Sequence, residues 1–337
     1  MIQQSINTLI KSQDLSLDMA MSVMDEIMSG KATNSQIASF ITAMRMKGES
    51  IDEITGCAKV MREYGTKLNH ESDVLEIVGT GGDEAYTFNI STISSFIIAA
   101  AGIPVAKHGN RSVSSKCGSA DVLEALGVKI DISVEKSEKI LKEIGICFMY
   151  AIKYHSSMKY AAPVRKELGV RTIFNILGPL VSPAGANIQL LGVYDENLVE
   201  PLARVLANLG VKRAMVVYGQ DGLDEITLST KSTVCEVNDG NINSFFLDPK
   251  QFGFEYCKKE DLVGGDPIEN AEIARKILSG EKGPKRDVVL LNSAVCIYMA
   301  NDNVTMKECV KIAANIIDSG KAMEKLNRFI QLSNEEN

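Results

Sequence analysis

No stretch of the chain approaches the roughly 18 uninterrupted apolar residues that a membrane-crossing helix needs. Residues 1–11 also lack a basic segment followed by a long apolar core. The expectation is a cytoplasmic protein without membrane contact. Paired cysteines are missing as well. The seven (Cys57, Cys117, Cys147, Cys235, Cys257, Cys296, Cys309) are odd in number, scattered, and free of any C-x-x-C spacing, so neither a disulfide framework nor a zinc knuckle is indicated. They are expected as buried, reduced thiols, with Cys117 a small filler residue rather than a nucleophile. There is no basic surplus either. A net charge of −7 and a pI near 5.3 disfavour a protein that coats nucleic acid, because neutralising phosphates requires a basic face. Internal repeats and low-complexity tracts are absent.

What is present is ordinary globular material, 45% hydrophobic and 23% charged, in a chain of 337 residues that suggests about two domains. The first seventy residues carry apolar side chains three and four apart, the period of helices. Ser50-Ile51-Asp52-Glu53 fits a capping box opening a helix with Ile51, Ile54, Ala58 and Met61 on one face and Gly65 as terminator. Gly30 and Gly48 are expected to close the two preceding helices.

From Val74 the texture becomes short β-rich runs (VLEIV, IPVAK, ICFMYA) alternating with helical stretches over residues 91–101 and 120–126. It resumes after Gly185 with IQLLGVY, a helix over 197–209, RAMVVYG and a strand pair around TVCEVNDGNINSFFL. Helical patterns fill 267–278, 287–299 and 306–332. The intervening stretch, 158–179, has helical spacing and is expected to pack with the N-terminal helices. The reading is an α/β fold: a central, mostly parallel sheet flanked by helices, plus a small all-helical domain built from the N-terminus and a central insert. The boundaries are 1–70 with 158–185 for the helical domain and 71–157 with 186–337 for the α/β domain. A cleft, and with it a site, is expected between them.

Gly79-Thr80-Gly81-Gly82-Asp83 follows VLEIV directly and precedes Asn89-Ile90-Ser91-Thr92, which opens a helix. Glycines at the carboxyl end of a parallel strand let backbone N–H groups approach phosphate oxygens, and the helix N-terminus adds partial positive charge. It is neither a Walker A loop nor a dinucleotide fingerprint, since no Gly-Lys-Ser/Thr or G-x-G-x-x-G occurs there. The alternative is a mere tight turn; the asparagine and hydroxyls that follow favour a diphosphate.

A second loop, residues 107–121, holds three cations, four serines, one asparagine and two glycines, with Val113 its one apolar side chain larger than cysteine. It has almost nothing to bury. Its donors suit a phosphate-rich ligand and its glycines suit closure, the alternative being a solvated surface loop. His108 is assigned to acceptor contact rather than base chemistry. Gly222-Leu223-Asp224-Glu225 follows RAMVVYG, and adjacent hard carboxylates there suit Mg²⁺. Arg165 in the insert offers a fork for a carboxylate, although charge neutralisation on a helix face is the commoner fate; His155 and Arg171 stand likewise.

Together GTGGD, NIST, KHGNRSVSSKCGSADVLEALG, RTIFNILGPL and DGLDE, in this order, resemble the anthranilate phosphoribosyltransferase family of tryptophan biosynthesis over nearly the whole chain. The resemblance implies a pentosyltransferase, typically a homodimer formed through its helical domains. It implies that Gly79, Gly81, Gly82, Asp83, Thr87, Asn89, Ser91, Thr92, Lys107 and Ser119 bind phosphoribosyl diphosphate. Anthranilate would meet Gly79, His108, Asn110, Arg165 and Gly178. Ser91, Asp224 and Glu225 would hold Mg²⁺, two ions per subunit, bound with the diphosphate substrate. No residue is singled out as a chemical catalyst; Lys107 and the metal-site groups would stabilise the transition state. Glu84-Ala85-Tyr86 and Lys116-Cys117 depart from the family's frequent residues without touching a ligand position. Association with an anthranilate synthase component is left open. The rivals are a pyrimidine nucleoside phosphorylase, which should lack the KHGNR loop and the Arg165 context, and a non-catalytic nucleic-acid-binding protein on the same scaffold, disfavoured by the acidic pI.

Overall fold

The structure is a computed structural model and describes residues 1–112 and 116–336. Four helices open the chain: α1 (Ile2–Leu9), α2 (Leu17–Met28), α3 (Asn34–Lys47) and α4 (Ile51–Tyr64). The capping box of α4 forms as its sequence dictates. Ser50 Oγ accepts from Glu53 N, and Glu53 Oε2 accepts from Ser50 N at 2.7 Å. Glu53 is fully buried because its other bonds, from Leu15 N and Lys47 Nζ, satisfy the charge. Gly30 and Gly48 take positive φ of 76° and 89° just after α2 and α3, where a side chain would be strained.

There follow β1 (Leu75–Gly79), α5 (Ile90–Ala100), β2 (Val105–Gly109), α6 (Ser119–Leu126), α7 (Val134–Ile144) and β3 (Ile146–Tyr150). The insert holds α8 (Ala151–Tyr154), α9 (Ala162–Leu168) and α10 (Phe174–Leu177) with short 3₁₀ turns at Ser156–Tyr160 and Gly178–Leu180. The chain returns through β4 (Ile188–Gly192), α11 (Val199–Asn208), β5 (Arg213–Gly219), β6 (Ser232–Asn238) and β7 (Asn241–Leu247). It ends in α12 (Pro267–Leu278), α13 (Pro284–Met299), α14 (Met306–Asp318) and α15 (Lys321–Asn334).

The seven strands form one sheet in the order β3-β2-β1-β4-β5-β6-β7; the first five run parallel and the last two antiparallel. Alternation with period two divides the strand side chains between two cores. Leu75, Ile77, Leu190 and Met215 face a core built with α5, α6, α7 and the C-terminal helices. Leu191, Val193 and Val216 face a second core made by α11, the N-terminal helices and the insert residues Ala161, Val164, Phe174 and Leu177. The insert thus packs with the N-terminal helices, where its apolar spacing pointed.

Two elements differ from the sequence reading. The helical pattern over 306–332 is two helices, because Gly320 adopts φ 79° and turns the chain back. Helix α7 was not anticipated: its apolar face is narrow, and the cap made by Ser133 Oγ with Lys136 N carries the start signal.

Candidate active site

The chain lays β1, β2 and β3 side by side in one direction and then crosses back to place β4 on the other flank of β1. The switch point of the sheet therefore lies between β1 and β4, where open α/β sheets bind ligands at the strands' carboxyl ends. Gly79 and Gly192 are paired in register there. A Cβ on Gly79 would lie 2.4 Å from Asp224 Oδ2, and one on Gly192 would lie 1.6 Å from the Asp224 carbonyl oxygen. Both glycines are thus needed for the DGLDE loop to fold over the switch point.

The glycine turn is tied to that loop. Gly81 and Gly82 have φ of 68° and 77°, and Gly81 N–H donates to Asp224 Oδ2 at 2.6 Å. Asp224 N donates to Asp83 Oδ2 at 3.4 Å. Thr80 is clamped between Gly192 O and Tyr194 N. Arg171 donates to the Gly82 carbonyl while its guanidinium lies 4.4 Å from the Tyr194 ring centre. Thr87 forms an isolated antiparallel bridge with Val263.

Below the turn, Ser91 N donates to Glu225 Oε1 at 3.2 Å, and Lys107 Nζ donates to Ser91 Oγ at 3.2 Å and to Ile77 O at 2.7 Å. Thr92 is buried with a hydroxyl that has no partner among the described residues. Burial depresses the Lys107 ammonium, opposed by Glu225 and Glu76. Burial also pushes the Glu225 carboxyl up to about 7 against the pull of Lys107 and Ser91. Asp224 is held well above the carboxylate range by burial, then by Asp83 and Glu225.

These groups fit a hard divalent cation. Asp224 and Glu225 are both close enough to the buried Lys107 ammonium to favour its charged form, and Asp83 accepts from Asp224 N beside them. Among the described residues no group of three or more His, Cys, Asp or Glu side chains is arranged to hold a metal ion by itself; Mg²⁺ is usually bound by one or two carboxylates together with substrate phosphates and water. Asn292, fully buried, braces the segment behind Glu225 by accepting from Ile226 N and donating to Ile226 O.

The second loop is more committed to itself than its composition suggests. Ser112 N and Gly118 N both donate to Asp121 Oδ2 at 2.9 Å, and Arg111 is paired with Asp121 and Glu124. Of its three cations Lys107 is buried beneath the site, Arg111 is paired and Lys116 is exposed. Ser119 Oγ donates to Asn110 O. Val113, Ser114 and Ser115 lie outside the described residues.

His108 is buried on the sheet face opposite Lys107, its ring 5.1 Å from that of His155. Burial pushes His108 down to about 3 and His155 to about 4, so both are neutral at pH 7. This suits contact rather than charge. Arg165 on α9 is half-buried, 5.3 Å from the Phe174 ring centre, and makes no ion pair among the described residues. Gly178 begins the 3₁₀ turn after α10. Among the described residues, Arg165 and Gly178 are not hydrogen-bonded to the glycine turn. Glu76, which accepts from His108 N, and Asn292 were missed by sequence reasoning, because a buried polar residue inside a strand or helix has no local signature. A cavity of about 430 Å³ is bordered by Arg62, His155 and Ser182, and no residue of the glycine turn lines it.

The profile described as "Glycosyl transferase family, a/b domain" matches residues 71–323, and that described as "Glycosyl transferase family, helical bundle domain" matches 3–65. Anthranilate phosphoribosyltransferase of Ruminiclostridium cellulolyticum is 68% identical over 99% of this chain and 98% of its own length. That of Methanobrevibacter smithii is 58% identical over 99% and 100%. The chain belongs to the anthranilate phosphoribosyltransferase family. The crystal structure of the Thermus thermophilus member superposes with a TM-score of 0.93 at 40% identity, covering 98% of this chain and 99% of that one. The Saccharomyces cerevisiae member, solved in complex with phosphoribosyl diphosphate and Mg, gives 0.89 at 29% identity over 98% and 97%. The bundle and the sheet with its flanking helices are therefore features of the family. Among the described residues no helix is long and apolar enough to cross a membrane.

Proposed function

We propose that this chain transfers the 5-phosphoribosyl group of phosphoribosyl diphosphate to the amine of anthranilate, giving N-(5-phosphoribosyl)anthranilate and diphosphate in tryptophan biosynthesis. The observation that carries the reading is the gathering of Asp83, Asp224, Glu225, Ser91 and Lys107 around a glycine turn at the switch point of the sheet. The names of its close relatives and the ligands of the yeast complex support it.

In this reading Gly79, Gly81, Gly82, Asp83, Thr87, Asn89, Ser91, Thr92 and Ser119 cradle the donor, and Lys107 places its charge beneath the phosphates. Ser91, Asp224 and Glu225 hold Mg²⁺, two ions per subunit. Bound Mg²⁺ supplies neutralisation of charge on the departing diphosphate. The C1–O bond to diphosphate breaks with its electron pair leaving on oxygen, the amine lone pair forms the C1–N bond, and the displaced amine proton goes to solvent. An aromatic amine is already neutral at pH 7, so no strong base is required, in keeping with the neutral state of His108. Arg165 engages the anthranilate carboxylate, while His108, Asn110, Gly79 and Gly178 shape the ring's seat.

The same reading divides the chain into a helical domain of 1–70 with 158–185 and an α/β domain of 71–157 with 186–337. It makes the protein a cytoplasmic homodimer joined through the helical domains, where Met46 is 84% exposed and Ile10 65%. Sedimentation at micromolar concentration tests the dimer. Anthranilate fluorescence tests the reaction: the signal should fall only when phosphoribosyl diphosphate and Mg²⁺ are both present, with diphosphate released. A flat trace from folded protein would overturn the assignment in favour of a nucleoside phosphorylase, to be assayed with phosphate and a pyrimidine nucleoside.

A further inference from the structure

An asparagine at the N-cap of a helix ordinarily turns its side-chain oxygen onto the first free N–H groups of that helix. Asn89 occupies this position on α5 and makes no such bond. Its amide is used sideways. Nδ2 donates to the Cys117 carbonyl at 3.1 Å, and Oδ1 accepts from Asn270 Nδ2 at 3.0 Å and from Cys117 Sγ at 3.4 Å. The orientations of both amides follow from their unambiguous neighbours: the Cys117 carbonyl must meet an N–H of Asn89, and Gly265 N–H must meet the oxygen of Asn270, at 2.8 Å.

Asn270 is fixed before it is used. It lies in the first turn of α12, 1% exposed, behind a segment that runs along residues 86–88. There Gly264 N donates to Tyr86 O, Phe88 N donates to Leu262 O, and Thr87 bridges Val263. Gly264 permits the approach: a Cβ there would lie 2.6 Å from Asn270 Oδ1 and 2.7 Å from Phe88 Cα.

We propose that Asn270 is a positioning residue for the phosphoribosyl diphosphate site: by holding Asn89 sideways it keeps the Asn89 side-chain oxygen off the start of α5, where Ser91 N–H already meets Glu225 and Thr92 N–H is left for a phosphate, and joins the glycine turn to the second loop through Cys117. This rests on the functional reading above. With an oxygen in place of the Asn270 donor, Asn89 Oδ1 is repelled onto the helix and competes with the phosphate for Thr92 N–H, Ser91 N–H being already met by Glu225.

The test is Asn270→Asp, which keeps the acceptor for Gly265 N–H and replaces the donor with an oxygen facing Asn89 Oδ1. The expected result is a rise of about tenfold in KM for phosphoribosyl diphosphate, equivalent to about 1.4 kcal/mol, with KM for anthranilate within about twofold. Asn89→Ala removes the oxygen that would compete, so Asn270→Asp added to it should change KM by less than about twofold from the Asn89→Ala value. Calorimetric titration with phosphoribosyl diphosphate and Mg²⁺ gives a readout that needs no turnover. Wild-type protein that fails to bind the donor would overturn the functional reading and this inference together. Wild type that binds, with a variant that binds equally well or a double variant whose effects simply add, would overturn the inference alone. Should Asn270→Asp not fold, Asn270→Ala and the Asn89 arm carry the same comparison.

Discussion

The glycine turn and the surroundings of Arg165 are built in contrasting ways. Around the glycine turn the backbone and side chains are tied together: Gly81 to Asp224, Asp224 to Asp83, Ser91 to Glu225 and Lys107, Asn89 to Asn270. On the other side Arg165 rests against Phe174 with no ion pair among the described residues, and Asn110 is exposed. A highly charged donor needs its partners oriented in advance, since reorganising dipoles during the reaction would cost much of the barrier lowering. A small aromatic acid needs an apolar seat and one cation. The preassembled half is anchored on strand ends; the looser half is carried by short helices of the insert.

The largest effect that would break this contrast comes from the carboxylates. Asp224→Asn with Glu225→Gln should lower kcat/KM by about 10²–10³-fold and move the Mg²⁺ requirement to higher concentration; an unaltered metal titration would remove the pair from the metal site. The same change sharpens the stability side. Glu225 titrates near 7 in the folded protein, above its unfolded value, so its contribution is fully present below the unfolded pKa and is lost as pH rises toward and through 7. The double variant should therefore melt higher than wild type at pH 8 without Mg²⁺, and a lower melting temperature there would contradict a strained carboxylate cluster.

Next in size, Arg165→Ala should cost about tenfold to a hundredfold in kcat/KM for anthranilate, from the roughly 1.5–3 kcal/mol of a charged hydrogen bond, while KM for the donor holds. A donor KM that moved in parallel would mean the two halves are one unit.

The buried histidines come third. Their folded values, about 3 for His108 and about 4 for His155, lie below the unfolded one, so the stability they contribute is present above the unfolded pKa and lost as pH falls. Each steepens the loss by up to about 1.4 kcal/mol per pH unit between roughly 6.5 and its folded value. Denaturant midpoints at pH 7, 6 and 5 measure the slope, and His155→Asn should reduce it by about one proton.

Smallest is Ser50→Ala, far from the cleft, expected to lower stability by about 1 kcal/mol with kcat/KM unchanged for both substrates. Altered kinetics in that variant would show that α4 and the cleft are mechanically linked.

Legibility in the sequence followed locality. The seven strands, the capping box at Ser50 and the turn GTGGD lie in contiguous residues whose backbone geometry is set by near neighbours. The pairing of Arg111 with Asp121 and Glu124 was not legible, because a loop rich in donors carries no mark of which donors its own helix will consume. Nor was the break at Gly320, since one glycine in an amphipathic run can sit within a helix or end it.

By itself the sequence determined the order of the strands, the glycine turn at one strand end and the adjacent acids at another, because hydrophobic period and backbone permissiveness act over a few residues. Only the tertiary structure decided that Asp224 folds over Gly79 and Gly192, that Lys107 lies beneath Ser91, and that Asn270 turns Asn89 away from its helix. Those contacts join residues as many as 181 positions apart. They exist because sheet order brings β1, β4 and the DGLDE loop to one switch point, and no local period encodes that order.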